Sequence, residues 1–127
     1  MIKIHELDKF TRAYIEAALW SSTDESDDSG GEPLDKNYNI YDIADETLAA
    51  MAADCAAFQD QNASDLLFNS EDQGGHDFWL TRNRHGCGFW ETPDWPEDIG
   101  KRLTDAAHKY GEVWLYVGDD GKIYSSH

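Results

Sequence analysis

The feature that most constrains the fold is the imbalance between acidic and basic residues. The 127 residues include 26 Asp and Glu against 10 Lys and Arg, a formal net charge of −16. So strong a charge favours a disordered chain unless enough apolar surface can be buried. Hydrophobic residues make up 40% of the sequence and aromatic residues 13%. We therefore predict a folded chain, and its length fits a single domain over residues 1–127.

The negative charge is concentrated in the first part of the chain. Residues 1–75 contain 17 acidic and four basic residues, a net charge of −13, whereas residues 76–127 contain nine and six, a net charge of −3. Acids and glycines with few apolar residues predict a mobile acidic loop at about residues 22–36. An anionic field of this size repels nucleic acid and acidic membranes and attracts basic surfaces, although solubility alone could also explain it.

Two helices are predicted in the acidic half. Apolar side chains recur at helical spacing over residues 5–21, where the stripe consists of Leu7, Phe10, Tyr14 and Ala17. A second helix is predicted from about Ile40 to Gln61, followed by a short helical turn within residues 62–70. Cys55 lies in the apolar stripe of the second helix, which indicates a small buried hydrophobe rather than a nucleophile.

The second half shows a β-type pattern. Residues 78–81 and 89–91 are rich in aromatic side chains and flank a glycine-containing turn, which predicts a hairpin. A helix should follow near Pro96 and end at Gly111, and a second hairpin should close the chain over residues 112–124. The expected fold is α+β: two N-terminal helices followed by β-β-α-β-β, with a small antiparallel sheet packed on the helices.

The run from Gly75 to Trp90 holds most of the side chains that could carry chemistry. His76, His85 and Cys87 could be metal ligands, although a zinc site needs a fourth. Alternatively, Cys87 could act as a nucleophile with His85 or His76 as its base.

A structural interpretation of the same run is the one we favour. In it, aromatic side chains load both faces of the hairpin and Arg82 pairs with an acid. Because Trp and Arg are frequent in interface hot spots, Trp79, Arg82 and Trp90 could also contact a partner.

Several functional classes lack their sequence signatures. The chain contains no Walker loop, no dinucleotide fingerprint and no Gly-x-Ser-x-Gly elbow, so we expect no cofactor. The N-terminus lacks the pattern of a signal peptide, and no apolar run approaches the roughly 20 residues that span a bilayer. We therefore expect a cytoplasmic protein without a membrane partner.

The Gly75–Asn83 segment, followed by His85-Gly86-x-Gly88-Phe89-Trp90, resembles a family of small uncharacterised proteins of bacteriophages and mobile elements. Residues 13–22 and 115–124 are similar to the same family, so the resemblance covers nearly the whole chain. Cys87 departs from the family pattern, where a small residue such as Ala is expected, and this weakens the thiolate and metal interpretations. The resemblance implies a phage-type protein in a host cell and assigns no catalytic residue.

Charge and resemblance together favour an acidic accessory protein that binds and inhibits a basic host protein, such as a nucleic-acid-handling or defence enzyme. Carboxylates spread over helices can engage the Lys and Arg that normally contact phosphates, so the protein could act as a nucleic-acid mimic without binding nucleic acid itself. The predicted anionic surface consists of Asp24, Glu25, Asp27, Asp28, Asp42, Asp45, Glu46, Asp54 and Asp60. A metal-binding or hydrolytic protein and a structural or assembly accessory remain the alternatives.

Overall fold

The computed structural model describes residues 3–24, 31–85, 88–90 and 94–127. Its helices are α1 (Lys9–Ser21), α2 (Asp45–Gln61), α3 (Ala63–Leu66), α4 (Glu71–Arg82) and α5 (Glu97–His108). The strands are β1 (Thr23–Asp24), β2 (Glu32–Pro33), β3 (Leu115–Val117) and β4 (Ile123–Ser125). Strand β1 pairs with β2 and β3 pairs with β4, both antiparallel. Short 3₁₀ helices occur at Ile4–Glu6, Leu34–Lys36 and Ile40–Asp42.

The predicted order of two helices followed by β-β-α-β-β is wrong, because the middle of the chain is helical. Residues 71–82 form α4, where the sequence pattern predicts a loop and a strand. Residues 88–90 lie in no strand, so the predicted aromatic hairpin does not form in the described residues. The fold is instead α+β with five helices and two small antiparallel sheets in the described part of the chain. Helices α1, α2, α3 and α5 and the β3–β4 hairpin lie where the sequence predicts them.

Helix α4 has the local signals of a helix start but lacks an amphipathic pattern. Ser70 caps it by accepting a hydrogen bond from the Gln73 backbone N–H at 3.1 Å, and Glu71 and Asp72 occupy the first turn. From Gly74 onward every residue of the helix except His76 is buried. A helix that is buried on nearly all sides shows no alternation of polar and apolar faces. Its aromatic residues therefore resemble a strand in the sequence.

Gly75 allows α1 and α4 to approach each other at backbone distance. A Cβ atom at this position would lie 2.0 Å from the Phe10 carbonyl oxygen and 3.0 Å from the Tyr14 nitrogen. The adjacent Gly74 faces the Phe10 ring, where a Cβ would meet ring atoms at 3.0 Å. The Gly-Gly pair therefore sets how closely the two helices pack.

The core is aromatic and lies between α1, α2 and α4. The Phe58 and Phe78 rings stack with centroids 4.0 Å apart, and Tyr14 packs against Phe78 at 5.2 Å. After α4 the chain turns back, because the Phe89 N–H donates to Thr81 Oγ1 at 2.9 Å and the Phe89 ring is buried. Phe78 also meets the Tyr110 ring edge-on at 5.2 Å, and such a contact adds stability beyond area burial.

Cys55 is fully buried in this core, as its position in the apolar stripe predicts. Burial raises the pKa of its thiol well above the ordinary value. A neutral thiol in this position acts as a small apolar side chain.

The ends of the predicted acidic loop are held together by backbone pairing. Thr23 lies opposite Pro33 in the β1–β2 ladder, and the Leu34 N–H donates to the Ser22 carbonyl at 2.9 Å. Leu34 is buried in the core. The predicted mobility concerns the middle of the loop, which lies outside the described residues.

The β3–β4 hairpin turns through Gly118–Gly121, as predicted, and docks on the start of α2. The Ala44 N–H donates to the Ile123 carbonyl at 2.9 Å beside a parallel bridge between Ile43 and Ile123. In the turn, the Tyr124 hydroxyl donates to an Asp120 carboxylate oxygen at 2.7 Å. Nowhere in the described ranges is there a helix both long and apolar enough to cross a bilayer.

Gly75→Ala is expected to lower the free energy of unfolding by about 2–3 kcal/mol, because the new methyl group would overlap the α1 backbone. Alanine normally stabilises a helix by about 1 kcal/mol relative to glycine, so the sign of the change identifies the clash. Urea unfolding measures it. In Gly74→Ala the new methyl group would meet the Phe10 ring at 3.0 Å and no backbone oxygen at 2.0 Å, so this substitution should cost less. A Gly75→Ala protein as stable as the parent would contradict the backbone contact.

Asp120→Asn is expected to lower the pKa of Tyr124 from about 12 toward the ordinary 10.0. The hydrogen bond to the Asp120 carboxylate favours the protonated phenol, and the neighbouring negative charge disfavours the phenolate. A pH titration of the Tyr124 ring resonances measures the change. Asp119→Asn, at an exposed neighbour, should leave the pKa in place. An unchanged pKa in Asp120→Asn would show that the hydrogen bond is not its cause.

Candidate functional site

His76 and Asp77 lie where the core meets the surface along α4. Asp77 is only 1% exposed, and its carboxylate accepts hydrogen bonds from Trp95 Nε1 at 2.7 Å and from Gln73 Nε2 at 3.0 Å. His76 Nδ1 lies 3.0 Å from Asp77 Oδ1. The roles of the two atoms depend on the histidine tautomer, and Nδ1 donates when it carries the proton. The buried acid thereby orients the imidazole and leaves Nε2 for contacts outside the core.

The His76 ring faces a surface groove between α1 and α4 with a volume of about 540 Å³. Helix α1 lines it with a polar stripe at helical spacing: Lys9, Arg12, Glu16 and Trp20. Trp20 is 50% exposed, and its ring centroid lies 5.9 Å from that of His76. We call this feature the α1/α4 groove.

Arg82 forms the second polar centre, and this one is internal. Its side chain is 2% exposed, with Nε donating to the Gly111 carbonyl at 2.9 Å and Nη2 to the Tyr110 carbonyl at 3.0 Å. Nη1 donates to Asp54 Oδ2 at 2.7 Å and to the Tyr14 hydroxyl at 3.0 Å. The prediction that Arg82 pairs with an acid is confirmed.

The electrostatics of this centre keep the charge of Arg82 in place. Burial alone would lower the pKa of Arg82, but Tyr14 and Asp54 outweigh it and the pKa is raised. Burial has the opposite effect on the phenol of Tyr14: it raises the pKa, and the side chain stays a neutral hydroxyl. His127 Nε2 also lies 3.0 Å from Asp54 Oδ2, so one carboxylate oxygen contacts both Arg82 and His127. The result is a paired internal charge.

The residues assigned to the aromatic hairpin differ in exposure. Trp79 is 2% exposed and donates through Nε1 to Ser21 Oγ at 2.8 Å, and Arg82 is equally buried. Trp90 is 53% exposed. Of the three residues offered as partner contacts, only Trp90 presents its side chain to solvent.

The two histidines of the predicted metal set lie in different grooves. His76 lines the α1/α4 groove, whereas His85 lines a second groove beside Trp114 and Leu115. Within the described ranges, no group of three or more His, Cys, Asp or Glu side chains could hold a metal ion. Cys87 lies outside the described residues, so the metal and thiolate hypotheses stay predictions.

The predicted anionic surface divides into three groups. Glu25, Asp27 and Asp28 lie outside the described residues. Asp24 lies in β1, Asp42 accepts the Asn39 N–H at 2.8 Å within a capping box, and Asp54 is the counter-ion of Arg82. The remaining three acids, Asp45, Glu46 and Asp60, are exposed on α2, and none makes an ion pair with another described residue.

Sequence reasoning missed the α1/α4 groove. The apolar stripe of α1 was interpretable from periodicity, but its polar stripe is typical of any solvated helix face. The one local signal is Trp20, a large aromatic side chain at the end of that polar stripe. Only the packing of α4 against α1 shows that His76 faces the same stripe.

The chain matches no family model, and no curated protein or solved structure is significantly similar to it. The resemblance to phage proteins therefore stays a prediction. The function has to be argued from the geometry of these surfaces.

Arg82→Met is expected to lower the free energy of unfolding by about 3–5 kcal/mol, because it removes four hydrogen bonds and leaves the part-buried Asp54 without its main partner. Urea unfolding measures the loss. Arg102→Met is the matched control, since Arg102 is an exposed arginine that pairs with Asp65 on the surface. It should shift the midpoint little. Equal effects of the two substitutions would contradict a structural role specific to Arg82.

Proposed function

We propose that this chain is an acidic phage-type accessory protein that binds a basic surface of a host protein and inhibits it, with a nucleic-acid-handling or defence protein as the target. The observation that supports the proposal most directly is the outward face of α2. Three carboxylates there are exposed and have no basic partner among the described residues. We call Asp45, Glu46 and Asp60 the acidic face of α2.

The geometry of the acidic face suits contact with another macromolecule. At 100° per residue, its three carboxylates fall within about 100° of helix circumference. Asp45 and Asp60 lie about 22 Å apart along the helix axis, from 1.5 Å per residue. Between them the exposed positions are small side chains, Ala49, Ala53 and Ala56. A partner could approach the helix closely between two anionic ends.

The same spacing bears on nucleic-acid mimicry. Duplex DNA carries one negative charge per about 1.7 Å of its axis. The acidic face instead places its charges at the two ends of a helix, with uncharged alanines between them. This pattern suits a partner whose basic groups lie on either side of the point where it contacts the alanines of α2. A denser imitation of a phosphate backbone would need Glu25, Asp27 and Asp28 in addition.

The ion pair of Asp54 with Arg82 removes Asp54 from the proposed binding surface. A carboxylate paired with Arg82 at 2.7 Å is already compensated and offers little to a partner. We therefore assign the interaction to the acidic face of α2 and not to Asp54.

The triple variant Asp45→Asn/Glu46→Gln/Asp60→Asn is expected to lose a partner that the parent protein captures from host lysate. Removing three carboxylates weakens the attraction to basic groups, and the captured complex should also weaken between about 0.1 and 0.5 M salt. Affinity capture followed by mass spectrometry identifies the partner, and calorimetry with the purified partner then measures the loss. Inhibition is tested in the activity assay of that partner.

The control variant Glu97→Gln/Asp105→Asn/Asp119→Asn removes the same charge elsewhere. Its three positions are exposed, and Glu97 occupies the first turn of α5 as Asp45 does in α2. This variant should retain the partner. Equal loss in both variants would show a response to net charge alone, and retention in both would contradict the acidic face as the binding surface.

A further inference from the structure

Arg12 differs from the other arginines of this chain. The sequence contains four, and three of them have a carboxylate within ion-pairing distance: Arg82 with Asp54, Arg84 with Glu112 and Arg102 with Asp65. Arg12 has none among the described residues, in a chain with 26 acids. Arg12 is partly buried and lines the α1/α4 groove. A guanidinium that forms no ion pair with another described residue can bind an oxyanion.

One further cation and an oriented imidazole line the same groove. Lys9 lies one turn before Arg12 on α1 and also makes no ion pair with another described residue. His76 contributes a ring whose Nδ1 is fixed by the buried Asp77, and its Nε2 makes no hydrogen bond to a described residue. The imidazole is therefore oriented by the core and not free to rotate as a surface side chain would.

The rest of the lining supplies a flat apolar surface and additional acceptors. The exposed Trp20 ring lies next to His76 and can stack on a planar group. Glu16 and Asp72 also line the groove and could accept hydrogen bonds from hydroxyl or amino groups. The volume of about 540 Å³ falls within the range of small-molecule sites, about 300–1,000 Å³.

The overall charge limits which anions can enter. A net charge of −16 repels anions, and the repulsion grows with each negative charge on the ligand. Polyphosphates are therefore disfavoured, whereas a single carboxylate or phosphate could bind to Arg12 and Lys9 in bidentate fashion.

We propose that the α1/α4 groove binds a small aromatic oxyanion, whose carboxylate or phosphate contacts Arg12 and Lys9 and whose ring packs on Trp20 beside His76. The site is independent of the acidic face of α2, which lies on a different helix. The failure of one proposal therefore leaves the other intact.

The experiment titrates the protein with phenylacetate, phenyl phosphate, inorganic phosphate and benzyl alcohol at about 20 mM salt. The Trp20 indole N–H resonance and calorimetry report binding. We expect phenylacetate or phenyl phosphate to shift the Trp20 resonance with a Kd on the order of 1 mM. Comparison of these two distinguishes a carboxylate ligand from a phosphate. Benzyl alcohol, which lacks the charge, and inorganic phosphate, which lacks the ring, should bind more weakly.

Arg12→Gln should lower the affinity for the aromatic anion roughly tenfold, because it removes about one charge-assisted contact. Arg84→Gln is the matched control because Arg84 is exposed and lies outside the groove, and it should leave binding unchanged. His76→Gln should weaken binding while the Trp20 resonance still reports on the groove. No shift of Trp20 with either aromatic anion, or equal losses in Arg12→Gln and Arg84→Gln, would overturn the proposal. Tighter binding of benzyl alcohol than of phenylacetate would also overturn it.

Discussion

The close approach of α1 and α4 at Gly75 is the contact on which the rest of the structure depends. With no Cβ at that point, the Phe10 carbonyl lies against the α4 backbone and the flanking rings can stack. The same approach brings Arg82 within hydrogen-bonding distance of the Tyr14 hydroxyl. It also turns His76 toward the polar stripe of α1. The aromatic core, the Arg82–Asp54 ion pair and the α1/α4 groove therefore all depend on the close approach of the two helices.

Most of the distinctive Gly75–Trp90 run is occupied with internal contacts. Four polar groups of α4 and its end each bond to a different part of the chain: Asp77 to Trp95, Trp79 to Ser21, Arg82 to Asp54 and Asn83 to Val113. Their partners come from α1, α2 and the segments on either side of α5. The residue types in this run are therefore constrained by packing and hydrogen bonding, because one central helix contacts several different parts of the chain. Among the described residues of the run, Arg84, His85 and Trp90 are exposed and His76 is partly exposed.

Net charge alone describes the surface of this protein poorly. Asp54 is compensated by Arg82, whereas three carboxylates of α2 have no basic partner in the described residues. At the same time, Arg12 and Lys9 form no ion pair with another described residue, although the chain is strongly anionic. The two proposals rest on these local departures, one on uncompensated carboxylates and one on uncompensated cations. Each departure is visible only when partners are assigned in three dimensions.

The sequence by itself determined the elements that have an amphipathic pattern or a clear turn. Helices α1, α2 and α5, the Gly118–Gly121 turn, the burial of Cys55 and an acidic partner for Arg82 all followed from local spacing and chemistry. Tertiary structure decided α4, because a helix enclosed by neighbours has no polar face and its aromatic residues resemble a strand. It also decided that Asp54 is the partner of Arg82 and that His76 faces the α1/α4 groove. Such roles depend on contacts between residues far apart in the chain, for which local periodicity carries no information.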